Sequence, residues 1–313
     1  MIYKLDFDQC IEELTSNYVE YLYSKYLPKN SLIISDGVDY TNLEIPNYIS
    51  HVVVDAATNP VPIKSKLNDF FICSGFYTYF KNTPNDKIKF FPFWLLWMSN
   101  RPYDFSIQPK QFKISCLNNT NWEHRKLTYL ELSKRDYFDQ LVLTYRHKPT
   151  VPGISELLLS DDEQQQLLSL PQQKSFIDSD NTIGVDYLTI NHPAYQNTYV
   201  NLVTETVTDV NKPMLSEKTF KPIIAGQFFV LIAPPGAIEF LRNIGIDTFD
   251  DIIDHNYDTI IDTRERILAV IKQVDHLMDQ DLGDIYNQNK HRLKHNSEYF
   301  KSEEFRKQFL LTF

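Results

Sequence analysis

Ser216, Glu217, Lys218 and Thr219 stand in a row a short distance after a strand-like run, Thr198–Thr204, that ends at Glu205. Ser216 reads as a helix N-cap and the three residues after it as the first turn of a helix that Gly226 stops. A lysine there is unfavourable, because the N-terminal end of a helix carries partial positive charge. An anion bound beside Lys218 would remove that conflict, and the adjacent Glu217 removes part of it without any ligand. The chemistry this grouping suits is the holding of a nucleoside diphosphate. Its phosphates need cations and N–H donors, and its ribose hydroxyls need a carboxylate such as Glu217 or Glu205. Lys221, four residues after Glu217, is explained more simply as an i,i+4 helix pair.

A second grouping follows another strand-like run, Gln111–Leu117. Asn118 opens a loop to Trp122, and a helix from His124 to Leu132 carries Arg125 in its first turn. Arginine matches phosphate oxygens with two parallel donors, although Glu123 or Glu131 offers Arg125 an ordinary partner. His124 reads as structural or helix-capping. Tyr145-Arg146-His147-Lys148 follows a further strand and is either a basic part of the site or a solvated loop.

Other chemistries lack their residues. There is no GxxxxGK[ST] or GxGxxG phosphate loop and no HExxH pair. Asp178-x-Asp180 has the letters of a metal-binding pair but precedes Asn-Thr instead of following a strand, so no metal site is expected. Cys10, Cys73 and Cys116 are widely spaced and odd in number, which suits buried thiols better than disulfides or zinc. A net charge of −10 disfavours non-specific attraction to nucleic-acid phosphate. No apolar run reaches the ~18 residues of a membrane span, and the acidic N-terminus lacks the features of a signal peptide. A cytoplasmic protein is therefore expected, in the host cytoplasm if the source is viral.

The elements that must position these groups alternate in an α/β manner. Cys10, Ile11, Leu14, Tyr18, Tyr21 and Leu22 recur at helical spacing and predict an N-terminal helix. Ser31–Ser35, His51–Val54, Asp69–Cys73 and Lys87–Phe91 are continuous apolar runs bounded by turn residues, the pattern of a buried parallel sheet. After a linker between Pro102 and Pro109, a second set follows: Gln111–Leu117, Asp139–Tyr145, Thr198–Thr204 and Phe228–Ala233. Pro234-Pro-Gly236 turns the last of these into a short helix, Ala237–Asn243, which Gly245 ends. From Thr263 onward the chain is helical and charged. Two domains are expected, 1–108 and 109–313. The aromatic run Phe90–Trp97 suits core packing or an interdomain interface better than sugar stacking.

The stretch Leu215-Ser-Glu-Lys-Thr-Phe-Lys-Pro-Ile-Ile-Ala-Gly-Gln-Phe-Phe-Val-Leu231, preceded by Thr204-Glu-Thr206, resembles a block shared by some viral and bacterial glycosyltransferases. Its core is similar to the (S/T)EK block of the fucosyltransferase family. Gly236–Phe249 and Ser115–Arg125 resemble neighbouring parts of the same group. The resemblance implies a GT-B architecture: two Rossmann-like domains with C-terminal helices, the donor held by the second. It implies that Glu217 binds the ribose, Lys218 the diphosphate and Arg125 a phosphate. Ser216, Thr219, Asn118 and Glu205 complete the donor-site candidates, and Asn119 stands where the group often has arginine.

The reaction so implied is metal-independent transfer of a sugar from a nucleoside diphosphate sugar to an acceptor hydroxyl. That acceptor belongs to a glycan, a lipid-linked sugar, a protein or a modified nucleobase in DNA. The donor is a substrate, and no cofactor is expected. An inverting enzyme needs a base for the acceptor proton. Asp36 and Asp55, each following a strand of the first domain, are the candidates, and a turn role suits either equally well. The alternative is a nucleotide-sugar-binding module without transfer activity. An epimerase would carry a Gly-rich fingerprint and a Tyr-x-x-x-Lys pair, and neither is evident.

Overall fold

The computed structural model describes residues 109–118, 122–145, 158–171, 193–208 and 215–310. It also describes residues 98–99 and the backbone of five strands within the first hundred residues. The chain divides into two compact units, one of Met1–Arg101 with Glu303–Phe313, the other of Pro102–Ser302.

In the first unit, β1 (Tyr3–Leu5), β2 (Ser31–Ile34), β3 (His51–Asp55), β4 (Asp69–Cys73) and β5 (Ile88–Phe91) form one sheet in sequential order. Every pairing is parallel. Four of the strands coincide with the apolar runs. The first was missed, because Tyr3–Leu5 is short and precedes residues at helical spacing. The helix expected from Cys10 to Leu22 lies outside the described residues.

The second unit holds a parallel sheet of β6 (Phe112–Asn118), β7 (Val142–Tyr145), β8 (Thr198–Thr204) and β9 (Phe228–Ile232), in the order β7-β6-β8-β9. β7 and β9 are buried at every position, as continuous apolar runs covered on both faces should be. Asp139 and Gln140, expected at the start of β7, lie instead in a 3₁₀ turn, Phe138–Gln140. The helices are α1 (Glu123–Ser133), α2 (Asp161–Ser169), α3 (Pro193–Asn197), α4 (Glu217–Ile224), α5 (Ala237–Asn243), α6 (Thr263–Met278) and α7 (Leu282–Lys301). A last helix, α8 (Glu303–Leu310), groups with the first unit. The α/β architecture of two parallel Rossmann-like sheets with C-terminal helices is thus the one the sequence predicts.

The strand order decides where a ligand can bind. From β6 the chain crosses to β7 on one side, whereas β8 lies on the other side of β6 and leads on to β9. Right-handed crossovers in opposite directions put α1 and α4 on opposite faces of the sheet. Accordingly α1 packs on α6, while α4 packs on α7. Phe220 and Phe300 stack across the second pair with centroids 5.1 Å apart. The carboxyl ends of β6 and β8 therefore form the topological switch point, the place where open α/β sheets have their ligand-binding crevice.

Two glycines end the helices that run back from the carboxyl edge of the sheet. Gly226 (φ 63°) closes α4, with its N–H on Ile223 O and that of Gln227 on Pro222 O. Gly245 (φ 85°) closes α5 in the same manner, through Arg242 O and Leu241 O. These are the paired bonds of a Schellman motif, which needs a residue at positive φ. A Cβ on Gly245 would also lie 2.7 Å from Tyr299 Oη. Gly245→Ala is therefore expected to lower unfolding stability by about 2 kcal/mol, combining the left-handed backbone penalty with the overlap. Urea denaturation measures it, and a loss below about 0.5 kcal/mol would contradict the assignment.

Candidate functional site

The crevice is built from the last residues of β6 and β8 and the first turns of α1 and α4. Asn118 closes β6 and is buried. Its main-chain N–H donates to Thr144 Oγ1 at 2.8 Å, its side-chain Nδ2 donates to Cys116 Sγ, and its side-chain Oδ1 accepts from Thr204 Oγ1. Asn118 thus fastens three strand ends together. Burial pushes the Cys116 thiol up to about 12, against the nearby Arg125 and the Asn118 hydrogen bond. Cys116 is a buried free thiol, as its sequence context suggests.

The first turn of α1 faces β8. The His124 ring, buried, donates from Nε2 to the Glu205 carbonyl at 2.8 Å. Burial holds its pKa well below the usual histidine value, reinforced by the charge of Arg125. The ring is therefore a neutral donor with a structural task. Arg125, also buried, donates from Nη2 to Thr204 O at 3.1 Å and to Glu205 O at 3.4 Å. The residue expected to hold a phosphate is thus placed beneath the crevice, against the main chain at the end of β8.

Glu205 is fully buried. Its carboxylate accepts from Ser216 N (2.9 Å), Ser216 Oγ (2.6 Å), Thr219 Oγ1 (2.5 Å) and Thr206 N (3.3 Å). An internal carboxylate therefore occupies the N-terminal end of α4, the place where a helix would otherwise take an external anion. Ser216 is the N-cap as expected, and its Oγ accepts from Lys218 N at 3.4 Å.

Lys218 is the partly exposed cation of the group, with 28% of its side chain accessible. Its ammonium donates to Glu217 Oε1 (2.7 Å), Thr206 Oγ1 (3.1 Å) and Ser216 Oγ (3.2 Å). Glu217 is buried; burial raises its pKa, but the charge and hydrogen bond of Lys218, with the charge of Lys221, bring it below the usual carboxylate value. Lys221 is itself buried, its Nζ 5.8 Å from the Tyr195 ring centre, so it is more than a surface pair. Glu217, Lys218, Glu205, Ser216, Thr219, Asn118 and Arg125 are all brought to this one crevice. Asp55 ends β3 in the other unit, and Asp36, Asn119, Arg146–Lys148 and Asp178–Asp180 lie outside the described residues.

Sequence reasoning missed Arg266 of α6. It is fully buried and donates to Ala233 O (3.0 Å), Ile260 O (2.6 Å), Ile261 O (2.9 Å) and Thr208 O. Thr208 and Ala233 follow the ends of β8 and β9, so Arg266 joins the segments that leave the sheet beside the crevice. At the end of β9 a cavity of about 780 Å³ opens beside Pro235 and Gly236, with His255, Asn256 and Asp258 on its wall. Asp258 accepts the N–H groups of Ile238 and Glu239, both at 3.1 Å, and so caps α5. Among the described residues, no group of three or more His, Cys, Asp or Glu is arranged to hold a metal ion. No described helix is long and apolar enough to cross a membrane.

No protein-family model matches the chain, and no curated protein matches it. Among solved structures, it is similar to the crystal structure of the DNA-modifying enzyme β-glucosyltransferase, determined with and without its substrate uridine diphosphoglucose. That likeness has a TM-score of 0.45 and 12% identity, and it covers 96% of this chain and 97% of the other.

Proposed function

We propose that the chain is a GT-B glycosyltransferase that binds a nucleoside diphosphate sugar at the β6–β8 crevice and transfers the sugar to an acceptor hydroxyl without a metal ion. The observation that carries this reading is the meeting of Glu217 and Lys218 with Arg125 and Glu205 at the topological switch point. Sequence separations of about eighty residues close there, on the side of the sheet where nucleotides bind.

In this reading Lys218 takes the diphosphate, exchanging a neutral hydroxyl acceptor for a phosphoryl oxygen, and Glu217 accepts from the ribose. Arg125 and His124 hold the end of β8 at the right depth, and the positive charge of Arg125 acts on the phosphates from below. The nucleoside end of the donor lies toward the cavity at the end of β9. Catalysis rests on fixing the donor and stabilising the departing diphosphate in a preorganised cationic site. The candidate bases for the acceptor proton are Asp36 and Asp55. The acceptor class is a glycan, a lipid-linked sugar, a protein or a modified nucleobase.

The test is calorimetric titration with a panel of UDP- and GDP-sugars, paired with a donor hydrolysis assay. One donor is expected to bind, and Lys218→Ala is expected to weaken it at least about tenfold, the value of one charge-assisted hydrogen bond. Unchanged binding in both Lys218→Ala and Glu217→Ala would sink the proposal. Binding without hydrolysis or transfer to any acceptor would instead mark a nucleotide-sugar-binding module.

A further inference from the structure

We infer that Glu205 is a positioning residue that sets the Lys218 ammonium through proton direction; this rests on the reading of Lys218 as the diphosphate ligand. The hydrogen bonds around Lys218 are decided by which oxygens have protons to give. Ser216 has one hydroxyl proton and donates it to Glu205 Oε2 at 2.6 Å. Its lone pairs must then face Lys218, from which it accepts at both N (3.4 Å) and Nζ (3.2 Å). Thr206, the other neutral acceptor of Lys218 Nζ, is held by its own N–H on the same Glu205 oxygen at 3.3 Å. One carboxylate that does not itself touch the ammonium therefore orients the Ser216 hydroxyl and tethers the main chain of Thr206.

The second oxygen anchors the arrangement. Glu205 Oε1 accepts from Ser216 N at 2.9 Å and Thr219 Oγ1 at 2.5 Å, which fixes the first turn of α4 against the end of β8. From the main-chain side, His124 and Arg125 hold the Glu205 carbonyl. Glu205 is thus fixed from both faces, and its burial excludes water that could reorient the hydroxyls.

Glu205→Gln reverses the proton direction while keeping the shape. The amide nitrogen meets a main-chain N–H at either position; the Oε2 position opposes it to the more distant one, Thr206 N at 3.3 Å against Ser216 N at 2.9 Å, and there it donates to Ser216 Oγ. One Ser216 lone pair is then taken by the amide and its proton leaves Glu205, so Lys218 N and Nζ, which each had a lone pair of that oxygen, compete for the one that remains. Titration with UDP and GDP, using the wild type's preferred nucleotide as probe, is expected to show about tenfold weaker binding in Glu205→Gln. Lys218→Ala is expected to weaken binding at least as much, and the double variant no further than Lys218→Ala alone, because Glu205 acts through Lys218.

Additive losses, or undiminished binding in Glu205→Gln, would overturn the inference. Should Glu205→Gln not fold, the same cycle with Ser216→Ala decides the question, since that change removes the relaying hydroxyl and leaves the carboxylate. Ser216→Ala should then weaken binding in wild type and not in Lys218→Ala; equal loss in both would overturn the inference. Failure of the wild type to bind either nucleotide would refute the glycosyltransferase reading itself, a result distinct from either of these.

Discussion

Arg266→Leu is expected to lower unfolding stability by about 3 kcal/mol. The guanidinium is fully buried and satisfies carbonyls at residues 208, 233, 260 and 261. A buried charge is expensive to desolvate, so removing it recovers part of the cost. Leucine, however, strands several main-chain oxygens without donors, each lost bond to a charged group being worth about 1.5–3 kcal/mol. The second effect wins because one guanidinium serves four separate carbonyls. Arg266→Lys should recover only part of the loss, since one ammonium cannot reach oxygens spread over three chain segments. Denaturant titration of the three proteins measures both differences. A leucine variant within about 1 kcal/mol of wild type would show that the carbonyls find other donors.

Arg266 also shows why part of the site was not legible in sequence. It sits on α6 between Glu265 and Ile267, and two of its partners lie 33 and 58 residues earlier, all of them main-chain oxygens that carry no residue signature. Glu205 was named as a candidate, but its part in holding α4 escaped for a related reason. A strand-end acid suggests a ligand group, but only the fold shows that Ser216 and Thr219, eleven and fourteen residues on, close around its carboxylate. What could be read were features with local causes. Phe228–Ile232 is a strand because its apolar run is continuous, Ser216 caps a helix because its hydroxyl reaches the first turn, and Gly226 and Gly245 end helices because they tolerate positive φ. Glu217 and Lys218 were legible as a pair through the unfavourable placement of a lysine at a helix start. Tyr3–Leu5 was not, since three residues are too few to display a period.

Lys110→Met is expected to stabilise the protein, and the size of the gain should depend on pH. Lys110 lies just before β6, at the opposite end of the strand from the crevice, and only 8% of it is exposed. Among the described residues its Nζ has no hydrogen-bond acceptor, and it lies 5.5 Å from the centre of the Tyr286 ring. Burial lowers its pKa from 10.5 to about 8. Below pH 8 the lysine is protonated in both folded and unfolded chains, and folding bears the full penalty of burying the charge. With each pH unit corresponding to about 1.4 kcal/mol, that penalty is about 3 kcal/mol at pH 7. Between pH 8 and 10.5 the folded protein has released the proton while the unfolded chain retains it, so stability at this site rises with pH. Methionine fills similar volume without a charge and has no such dependence. The advantage of Lys110→Met should therefore be about 3 kcal/mol at pH 7 and about half that at pH 9.5. Tyr286 does not disturb this window, because burial and the neighbouring Tyr199 raise its pKa to about 12. Thermal unfolding of the two proteins at both pH values gives the comparison, with other titrating groups common to each. A gap that stayed constant between pH 7 and 9.5 would mean that Lys110 keeps its charge when buried, and the cation–π contact with Tyr286 would then be the main electrostatic force on it.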